Sequence, residues 1–183
     1  MTAYVSLLRG VNLGPSTQLS MPRLTDVYAG LGLTSVATYI RSGNVVFAAE
    51  ESPEEVRGRI ESGIEGELGR DVEVVIRTAT EMADIVARNP FPHADPARLH
   101  VVFLSVPVGA ADLEVRLGST DYGSDEYAVD GREIFLHLPN GFGRSKLATR
   151  MSALRIPAAV ATVRNWRTVN KLVELSAALS DAG

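Results

Sequence analysis

The residues best suited to chemistry in this chain are cations set among glycines. Asn140-Gly141-Phe142-Gly143-Arg144-Ser145-Lys146 combines small residues, a hydroxyl and two positive charges just ahead of an amphipathic run. Glycines let backbone amides approach a ligand closely, Ser145 is of a helix-capping type, and a helix's first turn offers unpaired N–H groups to an anion. Arg164-Asn165-Trp166 adds another cation and a side-chain amide. The GxxxxGK[ST] order is absent, so this is not a Walker-type phosphate loop. A second polar group lies nearer the N-terminus, in Arg9-Gly10-Val11-Asn12 and Arg41-Ser42-Gly43-Asn44. Asn12 and Asn44 can orient a ligand there, or bond local backbone as turn residues do.

Other chemistries find less support. The chain has no cysteine, which removes disulfides, thiolate metal sites and cysteine nucleophiles and fits a reducing compartment. His93, His100 and His137 are scattered without ligand-like neighbours, so no metal site is expected. His137 has the chemistry of a general base, but packing on a strand is the simpler reading. No G-x-S-x-G nucleophile motif occurs. Trp166, the only tryptophan, reads as a core residue with its N–H satisfied. No cofactor is implied, and no reaction is identified.

The net charge of −4 conceals a polar distribution. Residues 1–49 carry three arginines against one aspartate, and residues 50–140 carry eight basic and nineteen acidic residues. Residues 141–172 then hold seven basic residues and no acid. Anion binding therefore belongs to residues 141–172 or to the first 49, unless the basic segment only balances the acidic middle. No apolar stretch approaches a membrane span, and Arg9 and Asn12 interrupt the apolar run over residues 3–8. A signal peptide is thus not expected there, and a cytoplasmic location is.

These side chains must be positioned by regular elements. Residues 4–9 read as a buried strand, followed by a Gly/Asn/Pro/Ser-rich loop over 10–20. Ser20 and Pro22 then open a helix whose Leu24, Val27, Tyr28 and Leu31 share one face, stopped by Gly32. Strands over 36–41 and 45–49 flank Ser42-Gly43-Asn44, with Gly43 needing positive φ. Ser52-Pro53-Glu54-Glu55 is a capping box ahead of a Val56, Ile60, Ile64, Leu68 stripe. A strand over 72–77 and a helix capped by Thr80 and ending near Arg88 complete the series. After Pro-rich residues 91–98 the order repeats. A strand at 99–106 and a helix at 110–117 lead into a hairpin about Asp130-Gly131. A helix at 145–155, a strand at 159–163 and a last helix capped by Asn165 follow. The fold class expected is α+β: two tandem ferredoxin-like βαββαβ units, each with a trailing helix and an antiparallel sheet. The boundaries fall at 1–90 and 99–183, with 91–98 as linker.

Four motifs resemble a known family in order and spacing: Leu7-Leu8-Arg9-Gly10-Val11-Asn12-Leu13-Gly14, Tyr39-Ile40-Arg41-Ser42-Gly43-Asn44-Val45-Val46-Phe47, Gly143-Arg144-Ser145-Lys146-Leu147 and Thr162-Val163-Arg164-Asn165-Trp166-Arg167-Thr168-Val169. They are similar to those of the bacterial proteins called domain of unknown function 1697. The resemblance covers nearly the whole chain. It implies the duplicated α+β fold and no activity. Members of that family often carry basic residues after the first glycines, where this chain reads Pro15-Ser16-Thr17-Gln18-Leu19-Ser20.

In a βαββαβ unit the loop after the first strand and the turn between strands two and three share one end. The loop after strand three and the end of strand four share the other. The first unit should thus gather Arg9, Asn12 and Asn44. The second should gather Gly143, Arg144, Ser145 and Lys146 with Arg164 and Asn165. The reading that follows is a phosphorylated small molecule or nucleotide held in a composite cleft between the units. Two alternatives are single-stranded nucleic acid or RNA on the sheets and a non-catalytic protein-interaction module. The first is opposed by dispersed aromatics and the acidic balance.

Overall fold

The computed structural model of the protein describes residues 1–11, 19–154 and 156–180. Within them the chain is a mixed α+β protein with two antiparallel four-stranded sheets and six α-helices. It divides into two compact units, residues 1–84 with the segment from Lys171 onward, and residues 85–170. No helix among the described residues is long and apolar enough to cross a membrane.

The first unit runs β1 (Thr2–Leu8), α1 (Met21–Gly30), β2 (Thr34–Tyr39), β3 (Asn44–Ala49), α2 (Pro53–Leu68) and β4 (Val74–Thr78), with strand order β2-β3-β1-β4. Alternate residues Tyr4 and Leu8, Val45 and Phe47, Val74 and Ile76 face one cluster. Leu24 and Tyr28 of α1 and Val56, Ile60 and Ile64 of α2 close it. Each such side chain contributes about 1.5–3 kcal/mol by leaving water. The buried Tyr28 hydroxyl meets Ser6 Oγ at 2.8 Å, and burial pushes the phenol's pKa up. α1 and α2 start at Ser20 and Ser52 as the sequence predicts, the latter with a complete capping box.

The trailing helix α3 (Ala79–Ala87) starts one residue before its expected cap, Thr80. Thr78 caps it instead. Its Oγ1 accepts from the Glu81 amide (3.1 Å) while the Glu81 carboxylate accepts from the Thr78 amide (2.8 Å). Only Thr78 has a glutamate three residues on, and that spacing closes the reciprocal cap.

The second unit runs β5 (Leu99–Leu104), α4 (Ala110–Leu117), β6 (Glu126–Asp130), β7 (Glu133–His137), α5 (Lys146–Ala153) and β8 (Ala161–Asn165). α6 (Trp166–Ser180) follows directly. The strand order β6-β7-β5-β8 repeats that of the first sheet. Val102, Leu104, Ile134 and Leu136 pack with Leu113 and Leu117 of α4 and with Leu147, Ala148 and Met151 of α5.

Three local details differ from expectation. The β6–β7 turn centres on Gly131-Arg132, one residue later than predicted, with positive φ at Gly131 where such a turn favours glycine. α5 ends at Ala153 because the chain turns extended at Leu154 ahead of Ile156-Pro157. β8 begins only at Ala161, after a turn in which Ala158 takes a φ of 59° and the Ala159 amide bonds to Ile156.

Candidate functional site

The second unit's basic loop is built from the end of β7 onward. The Leu138 amide donates to the Arg98 carbonyl, and the Gly141 amide returns to Leu138 (2.8 Å). Gly141 has a φ of 85°, which favours glycine, and a Cβ there would lie 2.9 Å from Nη1 at the flexible end of Arg98. A 3₁₀ turn over Phe142–Arg144 follows, with the Phe142 ring 4.9 Å from that of His100. His100 Nδ1 is buried with no hydrogen-bond partner among the described residues, and burial lowers the imidazole pKa.

Ser145, buried itself, then caps α5. Its Oγ accepts from the Ala148 amide at 2.8 Å and its carbonyl accepts from Thr149. The amides of Lys146 and Leu147 are those an α-helix leaves without an internal acceptor. Leu147, Ala148 and Met151 turn into the core. The helical repeat therefore puts Lys146, Thr149, Arg150 and Ala153 on the outer face.

That face lines a cavity of about 460 Å³, together with Gly143, Arg144 and Ser145. Thr120 and Tyr122, from the connection between α4 and β6, also line it. The Tyr122 hydroxyl donates to the Leu117 carbonyl (3.2 Å), which fixes the ring. Arg150 Nη2 donates to the Arg116 carbonyl at 2.9 Å. Arg144 and Lys146 make no ion pair or side-chain hydrogen bond among the described residues. Two cations thus stand at the positive end of a helix with no carboxylate to answer them. That placement opposes the helix dipole and favours an anion.

Of the residues singled out in the sequence, Gly143, Arg144, Ser145 and Lys146 share this cavity. Arg164 does not line it. It is 6% exposed, with Nη1 donating to Thr162 Oγ1 (2.7 Å) and the Val163 carbonyl (2.8 Å), and burial lowers its pKa to about 10. Arg77 repeats it in the first unit, at 1% exposure, with Nη1 on the Ile76 carbonyl. The two occupy the same register, opposite Val101 and Val5. A buried arginine kept at one register in both copies points to a role in the fold. Asn165 Oδ1 accepts from the Thr168 amide and so caps α6, while Trp166 packs near Phe135.

In the first unit, the Leu8 amide bonds to the Gly43 carbonyl, which joins the end of β1 to the β2–β3 turn. Arg9 pairs with Glu73 at 2.7 Å. Asn44 is wholly buried, its Nδ2 donating to the Tyr39 carbonyl and Ser42 Oγ. Asn12 lies outside the described residues. A cavity of about 600 Å³ lies beside Ser20, Arg23, Arg41 and Glu67. Arg23 is committed there to Glu67 through two bonds of 2.6 and 2.9 Å, and Arg41 is engaged as well.

Sequence reasoning passed over Arg150, Thr149 and Tyr122. Arg150 and Thr149 stand four and three residues after Lys146, so helical spacing carries their signal. Nothing local announces Tyr122. Among the described residues no three His, Asp or Glu side chains gather as metal ligands would.

Residues 1–135 match the model of a family described as protein of unknown function, DUF1697, and the chain belongs to that family. No curated protein matches the chain. A solved structure, that of a conserved bacterial protein from Streptococcus pneumoniae, is similar with a TM-score of 0.78 and 20% identity. The match covers 96% of this chain and 98% of that one. At that identity the likeness concerns the fold.

Proposed function

We propose that this DUF1697 protein binds a phosphorylated small molecule at the basic pocket of its second unit. The observation that carries the reading is the pair of unpartnered cations, Arg144 and Lys146, at the N-terminus of α5 and over a cavity of about 460 Å³. The volume falls within the roughly 300–1,000 Å³ of small-molecule sites. A phosphate would meet the free amides of Lys146 and Leu147 and two charge-assisted donors. Gly143 adds no side chain to obstruct that approach. We further read each unit as a ferredoxin-like βαββαβ unit, supported by strand orders in which β1 and β5 each lie between two antiparallel neighbours. Among the described residues the pocket lining holds no histidine, carboxylate or cysteine.

Thermal shift in phosphate-free buffer tests it. Millimolar phosphate and sugar phosphates should raise the melting temperature, while chloride at equal ionic strength should not. The doubly substituted Arg144→Ala/Lys146→Ala protein should melt normally yet lose the response. Equal responses in the two proteins would remove the site from α5.

A further inference from the structure

We infer, resting on the phosphate site above, that the ligand is a nucleoside monophosphate, with its phosphate at the start of α5 and its base against Tyr122. The pocket has two chemically distinct parts. One holds Arg144, Lys146 and the first amides of α5. The other runs along the helix to Ala153 and has Tyr122 in its lining. Lys146 and Ala153 stand seven positions apart, about 10 Å at the helical rise. Phosphate and base of one nucleotide span a distance of that order. Inorganic phosphate or a small sugar phosphate would occupy the cationic part alone and leave the aromatic wall unused.

The ring is suited to stacking because it does not need to be ordered by the ligand. Its hydroxyl is already bound to the Leu117 carbonyl, and its body leans on the second unit's core. Between the two parts lies Thr149, whose hydroxyl donates to the Ser145 carbonyl and keeps lone pairs to accept from a ribose hydroxyl. Arg150, pinned to the Arg116 carbonyl by one nitrogen, retains further donors on the same face.

The charge pattern selects among nucleotides. A monophosphate's two charges match Arg144 and Lys146. Magnesium-bound triphosphates are usually held partly through carboxylates, and no Asp or Glu among the described residues lines the cavity. Asp121, between Thr120 and Tyr122, has its Oδ1 on the Gly123 amide.

Calorimetric titration of the full chain separates the layers of this reading. The probes are the adenosine, guanosine, cytidine and uridine 5′-monophosphates, ribose 5-phosphate and inorganic phosphate. At least one nucleotide should bind about five- to tenfold more tightly than ribose 5-phosphate, the order of a single base–aromatic contact. Tyr122→Leu should erase that difference, and Tyr122→Phe should preserve it. If all four nucleotides bind no better than ribose 5-phosphate, the nucleotide inference falls while the phosphate site stands. If the preference survives in Tyr122→Leu, the base does not lie where we place it, and the inference again falls. If no probe binds, both fall.

Discussion

The helices that follow the third strand of each unit, α2 and α5, begin in opposite ways. α2 starts at Ser52 with Glu54 and Glu55 in its first turn. The Glu55 carboxylate bonds back to the Ser52 amide (3.0 Å) and hydroxyl (2.7 Å). α5 also starts at a serine, Ser145, but no acid occupies its first turn and Arg144 and Lys146 flank the cap. The first copy answers its helix dipole with its own carboxylates. The second sets like charge against it. One unit is electrostatically closed at this point and the other is suited to an external anion, and the shared strand order of the two units makes that contrast visible without any catalytic motif.

The largest effect expected from probing this contrast concerns the turns. Gly43 has a φ of 70°, and a Cβ there would lie 2.5 Å from Val11 Cγ2 and 2.8 Å from Leu8 Cβ. Gly43→Ala should cost about 3 kcal/mol in urea unfolding, since a packed turn cannot yield. Gly141→Ala should cost only about 1 kcal/mol, because its obstacle is the far end of the flexible Arg98 side chain. Equal costs would mean that the two turns are equally rigid.

Charge reversal comes next. In phosphate-free, low-salt buffer Lys146→Glu should stabilise the protein by about 0.3–1 kcal/mol, and Glu54→Lys should destabilise it by a similar amount. Both changes should shrink at high salt. A loss of stability in Lys146→Glu would break the comparison at its base.

The smallest effect is a pH dependence confined to the first copy. Hydrogen bonds from the Ser52 hydroxyl and amide hold the Glu55 carboxyl below its ordinary pKa. Because the folded value lies below the unfolded one, the stabilisation is present above the unfolded pKa and is lost as pH falls through the folded value. NMR titration of the Glu55 carboxyl should place its midpoint on the acid side of an unstructured glutamate. Glu55→Gln should be less stable than the parent at neutral pH, by a margin that narrows in acid.

What could be read in advance depended on how local its cause was. Ser20 and the Ser52-x-x-Glu55 box declare their helices within four residues, and the 3.6-residue stripe of α2 declares its buried face. Thr78 and Thr80 compete for one cap, and the decision turns on the glutamate at position 81. Ile40 has a φ of 48°, which a β-branched residue rarely adopts, so only the closed turn could reveal it. The site divides in the same way. Gly143 to Lys146 are legible because capping and helix-end electrostatics are local. Tyr122 reaches the same cavity through tertiary packing, which no spacing encodes. Arg164 carries the charge of a ligand-binding residue, yet its strand encloses it against Thr162 and Val163.

The division of the chain has a consequence for biosynthesis. Residues from Lys171 onward belong to the same compact unit as residues 1–84, and the other unit lies entirely between them in sequence. A ribosome therefore synthesises every residue of the second unit before it has made all of the first. The earliest strands to emerge must wait through that interval for part of their own unit, and the nascent unit that begins first is the one completed last.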